Sequence, residues 1–269
     1  MTKSSDIYAD LLAEGEEIDA LLDGLDERRW QSPTPAPGWT VAQQVAHLAF
    51  VCHLAATSAR DPQRFAGYAA RAGDGFQAAV DAALGDFLAG GPQAARARWR
   101  EELADSAAGL AAADQQSTVP WLVNPLPPSV LAAAGLMEIF AHGQDIADAL
   151  GVRREYTDRV GHLAWFGVHT RDFGYQAHGL VPPDEEFRFE LTAPSGARVW
   201  EFGPRDAVDR VTGPAVDFAL LVSRRRHPAD LAVRTEGARA EQWLGIAQAY
   251  RGPAGAGRKP GQFAPVRQD

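Results

Sequence analysis

The chain has 269 residues, of which 46% are hydrophobic and 23% charged, enough for one large domain or two ordinary ones with a real core. A formal charge of −9 argues against nucleic acid as a partner, since such binding needs a basic face. The one dense basic run, Arg224-Arg225-Arg226-His227, is too short to supply it. No stretch approaches the roughly 18 to 20 apolar residues that span a bilayer, and Met1-Thr2-Lys3-Ser4-Ser5-Asp6 does not open a signal peptide. The expectation is a cytoplasmic protein with no membrane partner.

In chain order, Leu11, Leu12, Ile18, Leu21, Leu22 and Leu25 share one broad face and predict a helix over 6–26. Pro33, Pro35 and Pro37 interrupt the chain, and Gly38-Trp39-Thr40 leads out of that loop with Thr40 as N-cap of a helix over about 41–58. Within it Cys52 lies beside Val51 and Leu54, the setting of a core thiol, and as the single cysteine it has no disulfide partner. Further helices are expected over about 74–89, 92–113 and 129–150, the last closing near Gly151. This is an up-and-down pattern of four main helices. A helix over 157–178 then joins the two halves. Residues 186–193 and 197–202 alternate as strands around Pro194-Ser195-Gly196, a β-hairpin. A helix near 213–224, a strand near 230–235 and a helix near 238–250 complete the expected elements. The fold class is therefore mainly α with a smaller α+β part: a helical bundle over 1–155, an α+β domain over 156–251, and a flexible tail over 252–269.

Glu138 and His142 are four apart and so lie one turn apart on one helix face. Asp145, seven residues after Glu138, returns to within about 20° of the same direction. The neighbours Leu131, Leu136, Met137, Ile139, Phe140 and Ile146 are apolar, so this stripe is expected to face inward, where such groups need partners or a metal. His47, among Val45, Ala46, Leu48 and Ala49, is the expected third ligand. Two imidazoles and one carboxylate suit zinc or another borderline divalent ion and leave coordination positions open. Asp145 would orient His142 through its other ring nitrogen. Gln43 and Gln44, four and three residues before His47, are expected to line the same pocket, with the Trp39 indole at its border. Bare Glu-x-x-x-His spacing is common on solvated helices, and a lone histidine is more often a satisfied core residue. His162, His169 and His178 do not share one face, so a second metal site is not expected there.

Residues 7–150 resemble the DinB-like helical bundle, in particular the mycothiol-dependent maleylpyruvate isomerase branch. The features that carry the resemblance are Trp30 followed by the three prolines, Gly38-Trp39-Thr40-Val41, Val45-Ala46-His47-Leu48, and Glu138, His142 and Asp145 in their helix. The resemblance implies that His47, Glu138 and His142 bind a divalent metal, usually zinc. It also implies that the stretch 157–251 is the smaller α+β domain of these isomerases, with a functional arginine best matched by Arg224 or Arg225. The expected function is a metal-dependent isomerase or S-transferase that uses a thiol such as mycothiol on a small unsaturated or electrophilic acid. The alternatives are a thiol-independent hydrolase, cyclase or lyase, and a non-catalytic metal-binding protein. Arg224 to Arg226 also fit a cluster that complements a helix C-terminus. Oligomeric state is not legible in the sequence.

Overall fold

The computed structural model describes residues 6–72 and 76–263 and falls into two compact units, residues 1–154 and 155–269. The first is helical: α1 (Ile7–Ala20), the single turn α2 (Glu27–Trp30), α3 (Val41–Arg60), α4 (Pro62–Ala72), α5 (Phe76–Leu88), α6 (Pro92–Ala112) and α7 (Pro128–Leu150). Helix α3 packs on α5, α6 and α7, and α1 packs on α6 and α7. Leu11 and Ile18 of α1, Val45 and Leu48 of α3, Trp99 of α6 and Leu136 and Ile139 of α7 are all buried between them. Helix α1 ends six residues earlier than the hydrophobic stripe suggests. The chain turns through Leu21–Gly24, and Asp26 caps α2 by accepting from the Arg29 N–H at 2.8 Å.

Helix α4 was not expected; its residues are mostly alanine and polar, with Phe65 the one large aliphatic or phenyl side chain. It starts with Pro62 in its first turn, with the Asp61 carboxylate accepting from the Arg64 N–H. It is fixed by Phe65, whose buried ring stacks on Trp121 at 5.6 Å. The helix expected over 74–89 is observed as α5, and its first expected residues lie outside the described ones. The α1–α7 contact is close because Gly143 lacks a side chain. A Cβ there would sit 2.5 Å from Cδ1 of Ile18.

The second unit holds α8 (Val160–His169), α9 (Asp172–Ala177), β1 (Arg188–Thr192), β2 (Val199–Phe202), β3 (Arg210–Pro214), α10 (Ala215–Val222), β4 (Arg234–Glu236) and α11 (Ala238–Ile246). The expected single helix over 157–178 is two. Thr170 ends α8, its hydroxyl donating back to the Phe166 carbonyl at 2.8 Å. Arg171 then donates to the carbonyls of Pro183 and Glu185, which pins the following loop. The sheet runs β2-β1-β3-β4. The β1–β2 hairpin is antiparallel with Leu191 opposite Trp200, β1 and β3 are parallel with Phe189 opposite Val211, and β3 and β4 are antiparallel. Phe189, Leu191 and Val211 point into a core with Phe218 and Trp243. Strand β3 was missed and took the first residues of the expected 213–224 helix, which starts only at Ala215. Beyond α11, residues 252–263 carry no helix or strand, but Gly261 N–H donates to the Asp230 carboxylate at 2.9 Å and Phe263 lies under the Arg226 guanidinium. The rest of the expected tail, 264–269, lies outside the described residues.

Candidate metal centre

The centre is built where α3 and α7 pack. Helix α3 begins in a capping box: Thr40 accepts from the Gln43 N–H, and Gln43 Oε1 accepts from the Thr40 N–H at 2.8 Å. This fixes the first turn and places His47 two turns on. It also commits the Gln43 oxygen to the helix start. The proline-rich loop before it closes on itself. Both the N–H and the hydroxyl of Thr34 donate to the Trp39 carbonyl, at 2.8 and 2.9 Å, and Val41 N–H donates to Ser32. The closed loop delivers the Trp39 indole onto the site, stacked on His142 with centroids 5.7 Å apart and edge-on to His47 at 5.1 Å.

Glu138 Oε2 lies 3.5 Å from Nε2 of His47 and 3.2 Å from Nε2 of His142. The two imidazole centroids are 4.4 Å apart. Among the described residues these three form the one cluster of metal-competent groups whose ligand atoms lie within 4.8 Å of each other. Ligands about 2.0 to 2.1 Å from a tetrahedral ion stand about 3.3 Å apart, so the observed separations fit a shared ion. Burial works to raise the Glu138 carboxyl, but hydrogen bonds from His142 and His47, together with their charge, hold it well below the usual carboxylate range. The group is therefore an anion.

Gln44, fully buried, completes the inner wall. Its Oε1 faces Nδ1 of His142 at 2.5 Å, and its Nε2 donates to Thr34 Oγ1 at 2.8 Å. The Nδ1 contact expected of Asp145 is thus made by Gln44. Asp145 is fully buried on α7. With Nδ1–H given to Gln44, a neutral His142 turns the lone pair of Nε2 toward the Glu138 oxygen. At 3.2 Å that lone pair and the carboxylate repel, and a proton or a metal ion between them turns the contact attractive; with the proton there, His142 donates to Glu138. The donor set and its polarity fit a divalent ion. His47 Nδ1 is buried without a hydrogen-bond partner among the described residues. Thr34 was not anticipated; no spacing rule connects a loop threonine to a histidine more than a hundred residues away.

Arg224 and Arg225 belong to the second unit. Arg224 is the one described non-glycine residue with positive φ, +58°. Its N–H donates to Leu221 and that of Arg225 to Leu220, so α10 ends in a Schellman turn with arginine where glycine is usual. Arg224 Nε is buried with no hydrogen-bond partner among the described residues. Arg225 donates to the Ser223 carbonyl, and Arg226 is buried. His169 and His178 bond to the carbonyls of Trp165 and Gly174 on their own helices. Cys52 is buried in α3, and burial pushes its thiol up to about 12.

A helical bundle that gathers two imidazoles and a carboxylate, followed by a small α+β unit, defines the class of the protein. The chain belongs to the family described as mycothiol maleylpyruvate isomerase N-terminal domain, which matches residues 11–147. A family described as wyosine base formation matches residues 183–236. Two Mycobacterium tuberculosis relatives, uncharacterized protein Rv0036c of strain ATCC 25618 / H37Rv and uncharacterized protein MT0041 of strain CDC 1551 / Oshkosh, are each 41% identical over 258 residues. The match covers 96% of this chain and 100% of theirs. The crystal structure of a histidine-to-alanine mutant of the mycothiol-dependent maleylpyruvate isomerase is similar with a TM-score of 0.52 at 14% identity, covering 80% of this chain and 86% of that one. The unmutated enzyme gives 0.50 at 15% identity with the same coverage. These structures share the fold. Among the described residues no helix is long and apolar enough to cross a membrane.

Proposed function

We propose that the protein is a divalent-metal-dependent enzyme that uses mycothiol to isomerise, or to conjugate, a small unsaturated or electrophilic acid. The observation that carries this reading is the convergence of His47, Glu138 and His142, with one ligand atom of each within 4.8 Å of the others, in a chain of this family. Zinc suits the two-nitrogen, one-oxygen set, and three protein ligands leave room for a fourth. His47, Glu138 and His142 would hold such an ion, which would supply acidity that lowers the pKa of a thiol and provides thiolate at neutral pH.

The chain's own groups supply the rest. Glu138 keeps its charge beside the two imidazoles, and Trp39 covers both rings and excludes water from that side. In this reading Gln43 borders the thiol pocket, Gln44 backs its wall from behind His142, and Asp145 of α7 supports it from within the core. Arg224 or Arg225 holds the substrate carboxylate, to which a guanidinium offers a planar fork. Attack of thiolate on the activated double bond forms a carbon–sulfur bond and moves the electron pair into the adjacent carbonyl. Rotation about the resulting single bond and expulsion of the thiolate restore the double bond with inverted geometry. Capture of a proton instead leaves a stable conjugate.

The test is turnover of a cis-unsaturated keto acid such as maleylpyruvate by zinc-loaded protein, with and without mycothiol. Turnover that needs both is expected. Turnover undiminished in thiol-free buffer would overturn the thiol reading in favour of a metal-dependent hydrolase, cyclase or lyase.

A further inference from the structure

The polar contacts behind His142 form a directed chain. The Trp39 carbonyl can only accept, and Thr34 turns both its N–H and its hydroxyl toward it. With its proton so used, Thr34 Oγ1 receives Gln44 Nε2 at 2.8 Å as an acceptor. That sets the orientation of a fully buried amide: nitrogen toward Thr34, oxygen toward His142. An amide oxygen only accepts, so Nδ1 of His142 carries the hydrogen. This arrangement lets every group in the chain donate or accept as its chemistry allows. Reversing the amide would require the Thr34 hydroxyl to turn away from the Trp39 carbonyl and give up its 2.9 Å bond there.

From this, and resting on the metal-centre reading above, we propose that Thr34 and Gln44 are positioning residues that lock His142 in its Nδ1–H tautomer and aim the Nε2 lone pair at the ion. The chain starts in the same loop that lays Trp39 on His142 and His47, so the loop over 33–40 sets both the cover of the site and the basicity of one ligand. Ring orientation and ligand basicity are the quantities that an outer hydrogen-bond partner controls, and losing such a partner typically costs 10- to 100-fold in metal affinity. His47 Nδ1 has no hydrogen-bond partner among the described residues, so the control is concentrated on His142.

The experiment compares wild type, Gln44→Met and Thr34→Val by two measurements, with far-UV circular dichroism to confirm folding. The first is the ring-nitrogen NMR spectrum of metal-free protein at a pH where the imidazole is neutral. The second is zinc affinity by competition with a chromophoric chelator. His142 should show a single Nδ1–H tautomer in wild type and a mixture in both variants. Zinc affinity should fall about 10- to 100-fold in Gln44→Met, and by a smaller factor in Thr34→Val, where the amide stays but can reverse. Wild-type affinity and an unchanged tautomer in both variants would overturn the proposal. If Gln44→Met does not fold, Thr34→Val, an isosteric change in the loop, decides the matter alone. If wild-type protein takes up no divalent ion, the metal-centre reading fails, while the ring spectrum still tests the tautomer lock.

Discussion

Replacing Arg224 by glycine should make the protein more stable and less active. Arg224 occupies the left-handed position that ends α10, with φ +58° and the Arg225 N–H closing on Leu220. An L-residue in that conformation costs about 1 to 2 kcal/mol, part of which glycine returns through its freer unfolded chain. The buried Nε, without a hydrogen-bond partner among the described residues, adds a desolvation cost that glycine also removes. A net gain of about 1 kcal/mol follows, equivalent to a rise in Tm of roughly 2 to 4 °C. Urea unfolding with a matched thermal scan measures the gain, and a turnover assay with mycothiol and substrate measures the loss. Arg224→Ala serves as the control: it keeps the backbone strain, loses the guanidinium, and should lose turnover without gaining stability. A glycine variant less stable than wild type would refute the reasoning, since it would make the side chain a structural clamp on the segment at Gly257, which its guanidinium approaches. Full turnover in the glycine variant would exclude Arg224 from the proposed carboxylate-binding role and leave Arg225 as its candidate.

Three further outcomes follow from the packing and the charges. Gly143→Ala places a Cβ 2.5 Å from Ile18 Cδ1 and should destabilise the bundle by about 1 to 3 kcal/mol. It should also weaken zinc binding at the adjacent His142, and a second change, Ile18→Ala, should recover the zinc affinity in a chelator competition even though it costs core packing. At Asp19, burial works to raise the carboxyl, but hydrogen bonds and charge from Arg96 and Arg100 outweigh it and hold the group below its ordinary value. Its contribution is therefore fully present above the unfolded value near pH 4 and is lost as the pH falls through the folded one. Asp19→Asn should cost about 2 kcal/mol at pH 7, because Asp23 still pairs with Arg96, and the difference from wild type in urea midpoint should shrink below pH 4. Cys52, with its thiol raised to about 12 by burial, should resist a thiol-reactive dye at pH 7.5 until denaturant is added; rapid labelling of native protein would contradict the packing around it.

The first unit was legible because its main helices carry the signals that physics makes strong: a broad apolar face, a capping residue at Thr40, proline at the start of α7 and glycine at its end. The same signals place His47 and the Glu138–His142 pair, since i,i+4 spacing fixes a shared face. The polar connections between elements were not legible. Gln44 reaches His142 across 98 positions and Thr34 reaches it only through Gln44, so neither contact exists before the helices pack. Strand β3 failed for a different reason. Arg-Val-Thr-Gly-Pro has one apolar residue to bury, Val211, and its pairing with β1 and β4 comes from the sheet on both sides rather than from its own pattern. The split of the 157–178 helix turned on a threonine hydroxyl and one arginine, features that a periodicity argument treats as ordinary helix surface.

Whether the ion serves chemistry or only holds the fold turns on where the site sits in the packing. The bundle's large apolar side chains, Trp30, Trp99, Leu48 and Leu110 among them, are almost completely buried. The ligand side chains keep contact with solvent: 14% of His47, 13% of His142 and 27% of Glu138 is exposed. Groups placed at the rim can be rehydrated when an ion leaves, so its loss should remove binding energy without removing the core. Treatment of zinc-loaded protein with a chelator should therefore lower stability only by the linkage amount, about 2.7 kcal/mol if free zinc had stood at a hundred times its Kd. Far-UV helicity at 25 °C should stay unchanged and unfolding should remain cooperative. Turnover should vanish over the same titration. Collapse of the helical signal on chelation would mean that the ion is a structural strut, and would favour a metal-binding protein without a reaction over the enzyme proposed here.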